Sequence, residues 1–88
     1  MEREDLADLE VVFVLVDGMV QGEYMRIWRM PVENDLREIV EVVPVFRSQD
    51  RVLDAFDRYP DWPKTVYATS GEELLKKVPA EAAFLLEP

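Results

Sequence analysis

The stretch from Val42 to Phe56, Val-Val-Pro-Val-Phe-Arg-Ser-Gln-Asp-Arg-Val-Leu-Asp-Ala-Phe, decides the fold. It begins with a β-branched apolar run, and we predict a strand over Ile39 to Phe46 because such runs favour buried strands. Pro44 interrupts this run, and we expect it at an edge or a bulge, where its missing N–H is not needed. After the strand, Ser48 fits a helix N-cap. A buried strand that leads directly into a helix indicates a domain that mixes the two.

The segment from Gln49 to about Arg58 has the spacing of an amphipathic helix. Its predicted apolar face carries Val52, Leu53 and Phe56. A second stripe of this helix is acidic, because three aspartates follow the i, i+4, i+7 spacing: Asp50, Asp54 and Asp57. Carboxylates suit a divalent cation, but a regular helix presents them along a line and not around an ion. We therefore predict a solvated acidic face and no metal.

The composition limits the class of protein. The chain has 88 residues, and we predict a single domain over residues 1–88. Hydrophobic residues make up 49% of it, which is typical of globular proteins. The sequence contains no histidine and no cysteine, which excludes Ser-His and Cys-His nucleophiles, a disulfide framework and a cysteine zinc site. We expect no cofactor and no enzymatic activity.

The N-terminus and the charge bear on location and partners. The first residues show no basic region before an apolar one, and no apolar run reaches the ~18–20 residues that span a bilayer. We therefore expect a cytoplasmic protein with no membrane partner. The net charge is −9, from 19 acidic and 10 basic residues. Such a charge disfavours direct nucleic-acid binding and favours either simple solubility or a basic protein partner.

The N-terminal part of the chain predicts a short helix and a central strand. Residues 2–9 place two leucines three apart among acids, the pattern of one or two helical turns. Glu10 to Val16 reads Glu-Val-Val-Phe-Val-Leu-Val, and such a continuous β-branched run favours the middle of a sheet. Asp17-Gly18 follows directly, and this dipeptide between apolar runs predicts a tight hairpin turn. Gly22 fits a bulge in the returning strand.

The returning strand, Tyr24 to Met30, has no cleanly apolar side, which predicts an edge strand. Pro31 then ends it, and Asn34-Asp35 supplies turn residues. Leu36 to Glu41 is ambiguous between a helical turn and a strand, and we favour a strand from about residue 39. An edge strand such as Tyr24 to Met30 could pair with its own copy across a two-fold axis and make a homodimer.

The C-terminal part alternates short elements. Tyr59 to Pro63 predicts a loop, because two prolines three apart exclude a helix and a central strand. Lys64 to Ala68 predicts a strand, and Ser70-Gly71-Glu72-Glu73 is a capping box that starts a helix before Pro79. Ala82 to Leu86 predicts the last strand. The predicted fold class is α+β, with a small mixed, largely antiparallel sheet of about five strands and two short helices packed on one face.

Four residues are candidates for partner binding: Tyr24, Arg26, Trp28 and Trp62. The first three share one side of the predicted edge strand, and Trp, Tyr and Arg are enriched in interface hot spots. A purely structural role for these three is the favoured interpretation. For Trp62, in the proline loop, we favour a lid on the core over an exposed anchor for a partner.

Three stretches, in this order, resemble the N-terminal domain of the SseB family, the bacterial "enhanced serine sensitivity" proteins. They are the strand Val11 to Val16, the strand-to-helix junction Val43-Pro44-Val45-Phe46-Arg47-Ser48, and Gly71-Glu72-Glu73-Leu74-Leu75 with the strand Ala83 to Leu86 and Glu87-Pro88 after it. In the family pattern threonine stands at Arg47 and asparagine at Glu87. The resemblance covers roughly residues 8–88 and implies an α+β domain, with no catalytic residue or cofactor to carry over.

Two classes of function follow from these observations. The first is a protein-binding or adaptor module, which predicts a contiguous exposed aromatic patch. The second is an acidic inhibitor or immunity-type protein that blocks a basic, nucleic-acid-binding surface of its partner, which predicts acids clustered on one face. An enzyme is the weakest interpretation, because it would need a carboxylate of raised pKa or a carboxylate-bound metal.

Overall fold

The structure is a computed structural model that describes residues 2–20 and 24–87, and for residues 18–20, 24 and 25 it describes the backbone alone. These residues form three helices and six strands, which confirms the α+β class. In chain order they are α1 (Arg3–Ala7), β1 (Val12–Val20), β2 (Tyr24–Ile27), β3 (Met30–Glu33), β4 (Ile39–Val45), α2 (Gln49–Arg58), β5 (Thr65–Thr69), α3 (Gly71–Lys77) and β6 (Ala83–Leu86).

The described strands form two three-stranded sheets, where the sequence predicted one sheet of about five strands. The first sheet has the order β2-β1-β5 and is antiparallel, and the second has the order β3-β4-β6, with β4 and β6 parallel. They meet where Phe13 and Phe46 exchange backbone hydrogen bonds of 2.8 and 2.9 Å. The predicted strand Tyr24 to Met30 is divided between the two sheets. Its bonding to β1 extends to Trp28, whereas Met30 pairs with Val42 of β4 in the second sheet.

β1 lies between β2 and β5, as its continuous apolar run predicted. The hairpin turn predicted at Asp17-Gly18 is wrong, because β1 continues to Val20. The register with β2 shifts between Asp17 and Met19, so the glycine lies at an irregularity inside the strand, a position that suits its conformational freedom. The bulge predicted at Gly22 lies outside the described residues.

The main core fills the space between one face of the first sheet, the second sheet and the helices α1 and α3. Alternate residues of β1 point into it, in keeping with the two-residue period of a strand. Its buried members are Leu6, Val12, Val14, Val16, Ile27, Val43, Val45, Leu74, Val78, Ala82 and Phe84. α1 and α3 therefore pack on this face. The sequence had predicted α2 and α3 together on one face of a single sheet, whereas α2 packs elsewhere.

A second core lies on the opposite face of the first sheet, under α2. Its buried members are Leu15, Phe46, Val52 and Ala55. Leu53, expected on the apolar face of α2, is instead 59% exposed. Val52 and Ala55 occupy the centre of the buried face and Phe56 its margin, so the helix is rotated enough to leave Leu53 on its flank.

The hairpin between β3 and β4 corrects one prediction and confirms another. Pro31, expected to end a strand, lies within β3 opposite Glu41, and β3 is an edge strand in which the missing N–H is tolerated. The predicted turn at Asn34 forms, and its side-chain oxygen accepts the N–H groups of Leu36 and Glu38 at 2.9 and 3.0 Å. Pro44, expected at an edge or a bulge, lies within β4 in register with Leu85 of β6, but beyond the part of β4 that pairs with β3.

Both predicted helix caps form. The Ser48 hydroxyl accepts the N–H of Arg51 at 3.4 Å, and the Ser70 hydroxyl accepts the N–H of Glu73 at 3.1 Å. The Glu73 carboxylate accepts a hydrogen bond from Lys76 at 3.3 Å and none from the Ser70 N–H in the described part of the chain, so the capping box forms only in its serine half. The two helices therefore begin where the sequence predicted, because capping is a local interaction that sequence alone can indicate.

Candidate protein-binding surface

Two of the predicted partner-binding residues come together in the structure. The ring centroids of Trp28 and Trp62 lie 5.1 Å apart, and Tyr59 stacks on Trp62 with centroids 4.3 Å apart. We call these three residues the aromatic cluster. Both tryptophans are half-buried against the second core. For Trp62, this position agrees with the favoured interpretation of a lid on the core. The tryptophans therefore cover the core and also form part of its outer boundary.

Arg26 lies apart from the aromatic cluster. It sits opposite Asp17 in the register of β2 with β1, and its guanidinium nitrogen is 3.7 Å from the Asp17 carboxylate. Arg26 and Trp28 both line one depression on the surface. The backbone of Tyr24 belongs to β2, but its side chain lies outside what the structure describes. The structure thus links Arg26 to Trp28 and Trp28 to Trp62, and it assigns no common patch to all four.

An apolar groove lies on the same side of the first sheet, between α2 and β5. We call it the α2–β5 groove, and it is lined by Gln49, Val52, Leu53, Phe56 and Val66. Leu53 is 59% and Val66 38% exposed, although both side chains are apolar. Ala68, on the same face of β5 as Val66, is also exposed. α2 is thus too narrow to cover this face completely, and the uncovered part is a strip of apolar surface.

The outer rim of this groove is acidic. Asp50 and Asp57 are exposed and, at three residues before and four after Leu53, they neighbour its side chain on the helix surface. The arginines of α2 lie on the other flank, where Arg51 is 3.8 Å from the Glu87 carboxylate. The predicted aspartate stripe is therefore solvated, and it borders an apolar surface that the sequence did not reveal.

Lys64 lies beside Phe56, just outside the residues that line the groove. Its ammonium group lies 4.7 Å from the centre of the Phe56 ring and donates to the carbonyl oxygens of Pro60 and Trp62 at 2.7 and 3.0 Å. These bonds hold the loop that carries the aromatic cluster against the end of α2. Among the described residues, the ammonium group is engaged by the loop and forms no ion pair with Asp50 or Asp57.

A second apolar surface lies at the β3–β4 hairpin. Leu36 is 77% and Ile39 68% exposed, and Val40 next to them is also exposed. We call these three residues the hairpin patch. Its neighbours in a shallow depression include charges of both signs, Arg29, Glu41 and Glu81. The hairpin patch therefore lacks the one-signed rim that borders the α2–β5 groove.

An ionic network joins the end of β6 to the start of α2. The Glu87 carboxylate accepts hydrogen bonds from Nε and Nη2 of Arg47 at 3.0 and 3.3 Å, and Arg51 lies 3.8 Å away. The hydrogen bond from Arg47 is the main cause that lowers the pKa of Glu87 below its ordinary value. The same bond raises the pKa of Arg47. This network holds the strand-to-helix junction and lies on the arginine flank of α2, away from the groove.

The described residues carry their polar side chains at the surface. None of their polar or charged side chains is buried, and no three of their aspartate or glutamate residues are grouped to hold a metal ion. The carboxylates occur on all three described helices, on the β3–β4 hairpin and at the end of β6. None of the helices described is both long and apolar enough to cross a membrane.

Comparisons with protein-family models, with curated proteins and with solved structures found no match for this chain. Membership of the SseB family therefore stays a prediction from the three motifs.

Proposed function

We propose that this chain is a non-enzymatic protein-binding module that takes a basic segment of a partner protein into the α2–β5 groove. The observation that carries the proposal is the exposure of Leu53 and Val66 beside the aspartate stripe of α2. An apolar surface with a charged rim of one sign is the arrangement that protein interfaces use, with the apolar centre for affinity and the rim for orientation.

Burial of the groove's apolar side chains would contribute substantially to the binding free energy. Complete burial of a leucine side chain is worth about 1.5–3 kcal/mol, so covering the exposed part of Leu53 would supply about 1–2 kcal/mol. Phe56 and Val66 add further apolar area on the two walls of the groove. The aromatic cluster, in which Tyr59 is exposed and both tryptophans are half-buried, continues the surface beyond Lys64 and offers a partner aromatic contacts of the kind found in hot spots.

The acidic rim supports a basic partner. Asp50 and Asp57 are exposed next to Leu53, and the whole chain carries a net charge of −9. A partner segment with lysine or arginine would be attracted at long range, and this attraction would weaken as salt rises. The alternative of an acidic inhibitor that mimics nucleic acid has less support, because the described carboxylates are distributed over several faces and not gathered on one.

The test compares two leucine-to-aspartate variants on an affinity column. Leu53→Asp places a carboxylate in the groove, and Leu36→Asp makes the same chemical change in the hairpin patch, where the leucine is 77% exposed. Wild type and both variants are immobilised, lysate of the source cells is applied, and the bound proteins are identified and eluted with increasing salt. We expect a basic protein retained by wild type and Leu36→Asp but lost from Leu53→Asp, with weaker retention at high salt.

Two results would contradict this proposal. One is retention of the same proteins by all three columns, which would mean that the groove is not used. The other is selective loss from Leu36→Asp, which would move the binding surface to the hairpin patch. Circular dichroism of each variant before coupling confirms that the comparison is between folded proteins.

A further inference from the structure

The free edge of β5 lies directly beside the α2–β5 groove, and its direction can be worked out from β1. The backbone of Phe13 bonds to Phe46, and the carbonyl of Leu15 accepts the N–H of Trp28 at 2.9 Å. The backbone groups of these two β1 residues therefore point away from β5. Because N–H and C=O of one residue in an antiparallel strand point to the same side and alternate along the chain, the other β1 residues point towards β5.

This alternation decides which groups of β5 are unpaired. The β1 residues that face β5 are in register with its first, third and fifth residues: Val16 with Thr65, Val14 with Tyr67, and Val12 with Thr69. The N–H and C=O groups of Val66 and Ala68 therefore point outward. β1 is the only strand that pairs with β5 in the described parts of the chain. Four backbone hydrogen-bonding groups are thus presented to solvent along this edge.

The edge of β5 lacks the protection that the other edges have. Its sequence, Thr-Val-Tyr-Ala-Thr, contains no proline and no charge and is rich in residues that favour strands. The edge strand β3 contains Pro31, and β2 contains Arg26. β6 is only four residues long, and the Arg3 guanidinium donates to the carbonyl oxygens of Ala80 and Ala82 immediately before it. β5 is therefore the edge best suited to accept another strand.

We infer that the basic segment binds in an extended conformation and adds to β5 as a further strand of the first sheet. This inference rests on the proposed function and specifies the form of the partner. Every second side chain of the added strand would face α2, as Val66 and Ala68 do. An apolar side chain at the centre of this series would contact Leu53, and lysine or arginine on either side of it would approach Asp50 and Asp57.

Charge argues for a different protein as the occupant and against a second copy of this chain. Two copies that paired through β5 would bring two acidic rims together, and each copy carries a net charge of −9. Like charges placed across an interface oppose association. A basic segment has the opposite effect at the same place, so the occupant is a partner segment that alternates between inward apolar or basic residues and outward polar residues.

The experiment uses a synthetic peptide, Ac-Thr-Lys-Thr-Leu-Thr-Lys-Thr-NH₂, and the complete chain labelled with ¹⁵N. Titration followed by NMR locates the binding surface, and amide hydrogen exchange is measured with and without saturating peptide. We expect exchange at Val66 and Ala68 to slow by at least about tenfold, because their amides gain partners that they lack in the free protein. The same peptide with glutamate in place of lysine is the control, and it should not bind.

A second comparison tests the backbone directly. Two peptides are N-methylated at alternate amides, one at the lysine and leucine positions and the other at the threonine positions. An added strand offers only one of these sets to β5, so we expect one methylated peptide to lose binding and the other to keep it. On the protein side, Ala68→Pro removes an outward N–H without removing a bond to β1, and it should weaken binding in the same way.

Each outcome decides the inference. One contrary result is a peptide-induced change in the chemical shifts of Leu53 and Phe56 without slower amide exchange at Val66 and Ala68. Another is equal binding of both methylated peptides. Either result would overturn the added strand and leave the groove as the binding surface. Absence of binding at about 1 mM peptide would also overturn it, since an added strand with matched charges should reach that affinity. The proposed function has its own test in the two leucine-to-aspartate columns, so the two failures are distinguishable.

Discussion

The backbone N–H of Gly71 donates to the carbonyl oxygen of Leu9 at 2.9 Å. This contact joins the start of α3 to the chain that follows α1. The carbonyl group of Leu6 lies where a Cβ on Gly71 would be built, so a side chain at this position would overlap the backbone of α1. Leu6 itself is completely buried in the main core, so α1 cannot move away without withdrawing this side chain from the core. Glycine is needed here for close approach between two backbones.

Gly71→Ala should therefore destabilise the protein, although alanine is the better helix former by about 1 kcal/mol. We expect a loss of about 3 kcal/mol in the free energy of unfolding, the upper part of the range for overpacked interiors, because the obstacle is backbone. Urea denaturation followed by circular dichroism measures it. Glu72→Ala, at the next and exposed position, is the control and should change stability by less than about 0.5 kcal/mol. Equal stability of Gly71→Ala and wild type would contradict the close approach.

The elements that the sequence predicted correctly are those that local interactions determine. The helix from Gln49 to Arg58 is found with the predicted bounds, because Ser48 caps its start and the apolar spacing is regular. β1 lies in the middle of its sheet, as its uninterrupted apolar run indicated. Both features can be read from fewer than about twenty consecutive residues, the range over which period and capping act.

The features that the sequence did not reveal depend on contacts between distant segments. The division into two sheets follows from the pairing of Met30 with Val42. No local sequence feature near Met30 indicates that its partner is Val42 instead of a residue of β1. Asp17-Gly18 has the composition of a turn and lies within a strand, because pairing with β2 overrides the local preference. Register between distant strands is a tertiary property.

The geometry of the candidate site also depends on contacts between distant segments, which the sequence does not reveal. Trp28 and Trp62 were both selected from the sequence, but that they touch each other is known only from the structure. The sequence does not indicate the groove, because the apolar spacing of α2 predicts Leu53 on its buried face. Its exposure depends on a small rotation of the helix about its axis, and apolar spacing does not define that rotation well. In the sequence, the signal for the groove is that two apolar residues, Val66 and Ala68, share one side of a short predicted strand.

Glu87→Gln should lower stability at neutral pH. The carboxylate accepts hydrogen bonds from Arg47 and lies near Arg51, and these interactions hold the pKa of Glu87 below its ordinary value of 4.5. A lowered folded-state pKa contributes stability that is present above pH 4.5 and is lost as the pH falls through the folded-state value. The difference in Tm between wild type and the variant should therefore be present at neutral pH and shrink steadily as the pH falls below 4.5.

The control for this pH series is Glu81→Gln, which changes an exposed carboxylate that makes no ion pair in the described part of the chain. Its Tm should follow that of wild type across the whole range. A constant difference between Glu87→Gln and wild type at every pH would show that the glutamate acts through its shape and not through its charge.

Arg37→Gly should give a more stable protein than Arg37→Ala. The backbone of Arg37 has a φ of 61°, in the left-handed region, at the end of the β3–β4 turn. Any residue with a Cβ is penalised there by about 1–2 kcal/mol, whereas glycine is not. The greater chain entropy of glycine in the unfolded state offsets part of this gain, about 0.5–1 kcal/mol. Thermal unfolding of both variants should place glycine above alanine by about 1 kcal/mol or slightly less. The reverse order would mean that the turn adopts another conformation in solution.

The contact between Trp28 and Trp62 should appear as a coupling energy. Their ring centroids are 5.1 Å apart and both side chains are half-buried, so each single alanine substitution should cost about 2 kcal/mol, less than the 3–5 kcal/mol of a fully buried aromatic residue. Removing the first tryptophan also removes the contact that the second would lose. The double variant should therefore be more stable than the sum of the two losses predicts, by about 0.5–1.5 kcal/mol.

A matched cycle pairs Trp62→Ala with Phe84→Leu. Phe84 belongs to the main core on the opposite side of the first sheet, so the two losses should add within about 0.5 kcal/mol. Circular dichroism in the far ultraviolet is the suitable probe, because the tryptophan fluorescence changes with each substitution. If Trp28 and Trp62 were as additive as the control pair, the loop that carries Trp62 would not rest on Trp28 in solution, and the aromatic cluster could not serve as one wall of a binding surface.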